Sequence, residues 1–176
     1  MDLERWIAVA KQIGFSEAGT LNTATLTVRK EVREMCAEDR CHAYNHNWTC
    51  PPACGTLSEC QEKIQKYTHG ILLQTVGHMK KDIDSRCYAE TGKKHMDNLR
   101  KFAEIIREAY PDALCLGAGG CRVCEKCNFP EPCRFPDKAY SSMEAYGLFV
   151  TQVCRDNNLK YYYGPKTIAY TACVLF

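Results

Sequence analysis

Apolar residues recur at helical spacing over residues 2–13, where Trp6, Ile7, Val9, Ala10 and Ile13 gather on one side and Gly14 supplies the stop. Residues 15–35 are less periodic; residues 24–28 suggest a strand and residues 30–35 a helical turn leading into Cys36. Thr56-Leu57-Ser58-Glu59 has the spacing of a capping box and predicts a helix over 56–67. The run GILLQTV at 70–76 predicts a buried strand. Leu99, Phe102, Ala103 and Ile106, three and four apart, predict the longest helix over 85–109, closed by Pro111. A second buried strand is expected at 113–117, and a helix from the Ser141-Ser142-Met143-Glu144 capping pattern to Arg155. Residues 161–163 and 167–176 read as a closing pair of strands joined through Gly164-Pro165. The alternation of strand and helix predicts an α/β (or α+β) fold: one layered domain over 1–176, with a small central sheet flanked by helices.

Composition changes this picture at one point, the cysteines. There are 13 in 176 residues. A chain of this length buries roughly 70% of the surface it exposes when unfolded, so it needs no covalent staples. The count is odd, and Met1-Asp2-Leu3-Glu4-Arg5 has neither the basic nor the apolar region of an export signal. The expectation is a cytoplasmic, reducing setting in which dense cysteines are metal ligands rather than disulfides. A net charge of +2 gives no sign of a nucleic-acid partner. No apolar run reaches the length of a membrane span.

The cysteines cluster in two loop segments, 36–60 and 121–136, expected at one end of the sheet. Cys121, Cys124 and Cys127 form C-x2-C-x2-C, and Cys133 follows five residues later. This is the spacing by which ferredoxin-type loops wrap three thiolates around one [4Fe–4S] cube. Soft thiolates suit zinc as well, but structural zinc sites usually pair two separated C-x2-C knuckles. Cys133 either closes its own cluster or crosses to a neighbouring one.

The first run, Cys36, Cys41, Cys50, Cys54 and Cys60, lies in a segment broken by Pro51-Pro52 and Gly55 and matches no common ferredoxin spacing. It predicts a second cluster, with Cys36, Cys41 and Cys50 favoured over Cys54 and Cys60. Cys60 falls in the first turns of the expected helix, where a core role fits equally. Trp48 is placed to shield a cluster, and His42 and His46 are available as a fourth ligand or proton donor, although surface histidines are the commoner case. Three ligands alone would leave an iron open to a substrate. Cys115, Cys154 and Cys173 sit in apolar patterns and read as small core residues. Tyr161–Tyr163 with Tyr170 read as filling a sheet face.

Taken together, Cys41-x2-Tyr44-x3-Trp48-x-Cys50-Pro51-Pro52, Cys54-Gly55-Thr56-Leu57, the Cys121–Cys127 run with Pro130-Glu131-Pro132-Cys133-Arg134-Phe135-Pro136, and Ser142-Met143-Glu144-Ala145 resemble the DUF2284 family of predicted metal-binding proteins. The resemblance spans the chain from about Val32 onward. It implies cysteine-bound metal and an anaerobic prokaryotic source, and no settled reaction. The leading expectation is an iron–sulfur protein with one or two [4Fe–4S] clusters that passes single electrons to a redox partner protein. The alternatives are an enzyme whose open iron binds a small-molecule substrate for desulfuration, dehydration or reduction, and a zinc-binding structural or metal-handling module.

Overall fold

A computed structural model describes residues 2–176. The strand β2, Gly70–His78, is the spine of the fold, and most of it is buried. Nine of its residues pair antiparallel with β4, Thr167–Leu175. On its other edge β2 takes β1, Glu17–Leu21, and β4 in turn takes the short β3, Leu114–Leu116. The order is β1-β2-β4-β3, antiparallel throughout.

Both faces of this sheet are covered, which is why β2 is a nearly continuous apolar run rather than an alternating one. Side chains alternate between faces with period two. Ile71, Leu73, Cys115, Ala172 and Val174 meet α1, Leu3–Ile13, and α4, Ser85–Ala109, through Trp6, Leu99, Phe102 and Ile106. Leu72, Leu116, Cys173 and Leu175 face the opposite way. They pack on α3, Leu57–Ile64, on α5, Val150–Asp156, and on the buried residues of 143–148. Cys115, Cys154 and Cys173 are core residues, as their apolar neighbours imply. The expected helices at 2–13, 56–67 and 85–109 form, and Thr56 with Glu59 makes the full capping box.

Three elements differ from their sequence pattern. The strand expected at 24–28 is a short 3-10 turn at Thr23–Thr25, and only Val28 bridges, to Leu148. The edge strand instead uses Glu-Ala-Gly-Thr-Leu, a weak strand former that adds itself to β2 by backbone pairing. The helix expected over 141–155 starts only at Val150. Gly147 has φ +83, its carbonyl accepts the Arg29 N–H at 2.7 Å, and an added Cβ there would press on Leu57 Cδ2 at 2.6 Å. That tight crossing holds residues 142–148 as a packed turn. Finally, residues 161–163 pair with no strand. Tyr161 and Tyr162 are exposed, and Tyr163 donates its hydroxyl to Gln74 Oε1 at 2.6 Å. β4 pairs with β2 instead, because that match buries nine residues of backbone.

Candidate metal centre

The second cysteine run leaves the sheet where β3 ends. Gly117 exchanges backbone bonds with Ser141 and Met143, and the chain between them loops out. Gly119, at φ +70, makes the turn toward Cys121. Cys121, Cys124, Cys127 and Cys133 are all half-buried and line one shallow cleft. The loop is braced by Asn128 Nδ2 on the Pro132 carbonyl at 2.9 Å and by Arg134 Nη2 on the Lys126 carbonyl at 3.2 Å. Burial pushes the Cys121 thiol up, against the Val123 N–H and the Arg100 charge, which both favour the thiolate; Cys127 and Cys133 lie close enough to add to the rise. The loop therefore brings Cys133 back to the three cysteines of its own run.

In the first run, Cys36 rides on α2, Lys30–Ala37, and the chain then turns through Asp39, His42 and Asn45, all at positive φ. Asp39 Oδ1 accepts the Tyr44 N–H, and Asn45 donates its N–H to the Pro51 carbonyl. These turns bring Cys36, Cys41 and Cys50 into electrostatic reach of one another. Burial raises Cys50 to about 11, with small additions from Cys41, Cys36 and Cys121. His42 and His46 are exposed.

Cys54 and Cys60 occupy a different environment. Both are buried in the apolar layer beneath α3. The Cys54 thiol donates to the Ala145 carbonyl at 3.5 Å, and the Cys60 sulfur accepts from Arg33 Nη2 at 3.4 Å. Arg33 Nη1 also holds the Gly55 carbonyl at 2.9 Å. The neighbouring Cys54 thiol and the Arg33 guanidinium favour the Cys60 thiolate against burial and lower its pKa, while the Cys60 sulfur and burial together raise that of Cys54.

The two runs meet at Asn47-Trp48-Thr49, which forms one wall of the cleft. Asn47 Nδ2 donates to the Cys121 carbonyl at 3.3 Å. Trp48 Nε1 donates to the Glu131 carbonyl at 2.8 Å, and its ring meets Phe129 edge-on with centroids 5.1 Å apart. Cys50, one residue beyond this wall, is near enough to feel Cys121. The stretch from Cys36 to Cys50 and the second cysteine run thus form one lobe off the β3 edge. Among the described residues no three His, Cys, Asp or Glu side chains converge on the position of a single ion.

Two contributors had no clear sign in the sequence. Asn47 reads as an ordinary loop residue until its bond across to Cys121 is seen. Glu144 reads as a helix cap in Ser-Ser-Met-Glu, whereas its carbonyl receives the Cys36 thiol at 3.9 Å.

A family model described as a predicted metal-binding protein, DUF2284, matches residues 19–176. The chain belongs to DUF2284. The match begins inside β1 and takes in the sheet, α4 and both cysteine runs; α1 lies outside it. Searches of curated proteins and of solved structures returned no match. No helix among the described residues is long and apolar enough to cross a membrane. The family thus establishes a predicted metal-binding protein, and the structure adds where this DUF2284 chain gathers its thiols.

Proposed function

We propose that this DUF2284 protein is an iron–sulfur protein that holds one or two [4Fe–4S] clusters and serves in electron transfer. The observation that carries the reading is the single cleft lined by Cys121, Cys124, Cys127 and Cys133. Four thiols fit the group by chemistry, since soft sulfur donors suit iron–sulfur clusters. Cys36, Cys41 and Cys50 are the corresponding ligands of the second cluster, and Cys54 is left out because Ala145 and Cys60 engage its thiol.

When bound, such a cluster supplies one-electron chemistry. The chain's own part is to hold the thiolates and tune them. The Val123 N–H directed at the Cys121 sulfur is the kind of bond that raises a cluster's potential by stabilising added charge. Arg100 acts in the same direction through its charge. Trp48, backed edge-on by Phe129, supplies an apolar wall of the cleft. The reading carries with it a reducing compartment such as the cytoplasm and a redox partner protein.

The experiment is anaerobic purification with iron, sulfide and zinc analysis, followed by EPR of the reduced protein. Near-equal iron and sulfide, with a cluster signal lost in Cys124→Ser, supports the reading. Stoichiometric zinc without sulfide would sink it in favour of the zinc module.

A further inference from the structure

A second cavity adjoins the thiol-lined cleft and shares part of its wall. It is an open groove of about 480 Å³, within the range of about 300–1,000 Å³ that small-molecule sites occupy. Trp48, Pro130, Pro132 and Pro136 supply much of its lining, together with Ser141 and Cys133. Trp48 and Cys133 also line the cleft. The two cavities therefore meet at a tryptophan and at one of the candidate metal ligands.

The walls of the groove are held in place from outside it. Trp48 is pinned by its Nε1–H on the Glu131 carbonyl at 2.8 Å and backed edge-on by Phe129. Asn128 Nδ2 holds the Pro132 carbonyl at 2.9 Å. Pro136 opens the short 3-10 turn Pro136–Lys138, and Arg107 from α4 holds the Asp137 carbonyl within it at 3.1 Å. Prolines and a fixed ring have little freedom left to lose, so a ligand entering here has little to order. Among the described residues no Asp, Glu, Lys, Arg or His lines the groove. A phosphate, carboxylate or ammonium placed there would give up water without meeting an opposite charge. The Thr49 hydroxyl is engaged with Asn47 Oδ1 at 3.0 Å, which leaves Ser141 as the hydroxyl the groove offers. Ser141 is itself anchored, because its carbonyl accepts the Gly117 N–H at 2.8 Å. The molecule that fits is neutral, flat and apolar, and carries an oxygen able to accept one hydrogen bond.

We propose that this groove binds a quinone, its ring against Trp48 and the prolines and one carbonyl oxygen accepting from the Ser141 hydroxyl. The proposal rests on the iron–sulfur reading and deepens it by naming a small-molecule electron acceptor. A quinone is singled out among neutral flat carbonyl compounds because the groove reaches Cys133, so its occupant lies against a ligand of the redox centre. Conversion of the quinone to its hydroquinone takes two electrons and two protons. The electrons come singly from a one-electron donor protein by way of the thiol-lined cleft, and the protons come from water, to which the groove is open.

The test uses the full chain, loaded anaerobically, and duroquinone, whose ring positions are all substituted and so do not add to thiols. Equilibrium dialysis gives the Kd for wild type, Ser141→Ala and Ser141→Trp, and iron and sulfide are counted in every sample. Saturable binding of one duroquinone per wild-type chain is expected. Ser141→Ala weakens it about fivefold, the scale of one lost neutral hydrogen bond. Ser141→Trp fills the groove and abolishes it, with iron and sulfide at the wild-type values in both variants. Anthraquinone-2-sulfonate, flat but anionic, binds wild type at least tenfold more weakly than duroquinone. Ser141→Ala removes only one oxygen and decides the matter if the tryptophan variant misfolds. Absence of saturable duroquinone binding to a wild-type chain that carries iron and sulfide overturns the proposal and leaves the iron–sulfur reading standing. So does a Kd unchanged in Ser141→Ala. A wild-type chain that takes up no iron and sulfide overturns both.

Discussion

Trp48 is the clamp between the two cysteine runs, and its removal tests whether they form one lobe. Trp48→Phe deletes the indole N–H on the Glu131 carbonyl and leaves an aromatic ring facing Phe129. That carbonyl is near the surface and recovers a water partner, so the loss is at the low end for a hydrogen bond, about 0.5–1 kcal/mol. Trp48→Ala also removes the edge-to-face contact, which adds about 1 kcal/mol and brings the total near 2 kcal/mol. The clamp is peripheral to the sheet, so the loss appears as local opening rather than global unfolding, by about fourfold and about 30-fold respectively. Cys50 reports it: the side chain is 8% exposed, and burial holds its thiol at about 11, so alkylation in the closed lobe is slow. In the reduced, metal-free chain, pulse alkylation read by peptide mass spectrometry is expected to accelerate at Cys50 in that ratio, while Cys173 in the sheet stays unreacted. Cys50 rates within about twofold of wild type in both variants would refute the clamp, since an opening of that size shifts the rate by far more.

Three further outcomes follow from the packing. His95 is fully buried and neutral, its value held near 4 by burial against 6.5 in water, with Nδ1 3.0 Å from Thr75 Oγ1. Its folded value is the lower one, so its contribution is intact above pH 6.5 and is lost as pH falls toward 4, by about 3 kcal/mol; the urea midpoint of wild type is expected to fall relative to His95→Leu across that window, and parallel curves would contradict it. Gly77→Ala drives a methyl into Thr91 Oγ1 and against Ile168 Cγ2 and Cys87 Sγ, and is expected to cost about 1–3 kcal/mol in urea unfolding, recovered in large part by adding Thr91→Ala. Cys173→Ser buries a hydroxyl in the apolar layer and costs about 1–3 kcal/mol, yet leaves metal per chain at the wild-type value, whereas Cys124→Ser lowers bound metal with little change in unfolding.

What could be read in advance depended on whether local pattern and tertiary contact agree. α4 was legible because its stripe of Leu99, Phe102, Ala103 and Ile106 faces one partner, the sheet, along the helix. β2 was legible because both its faces are covered. β1 was not, since nothing in Glu17–Leu21 prefers a strand over the Thr- and Val-bearing residues that follow; the free edge of β2 chooses it. The helix expected from Ser141 had a sound local start, but the Arg29–Gly147 crossing prevails over it. In the lobe, short spacing brought Cys121, Cys124 and Cys127 together in the sequence as in space. The separation of Cys54 and Cys60 from Cys36, Cys41 and Cys50 depends on Arg33, which lies on another element and carries no mark of that role.

The position of β4 in the sheet sets an order of events during synthesis. Both cysteine segments precede it in the chain, and β3, from which the second loop springs, is hydrogen-bonded within the sheet to β4 alone. As the chain emerges, all the thiols of the lobe are therefore present before the strand that anchors their base. Metal delivered at that stage would meet an unframed, flexible set of sulfurs. Closure of β4 between β2 and β3 fixes the base of the second loop, so insertion of that strand is also the step that frames the candidate site.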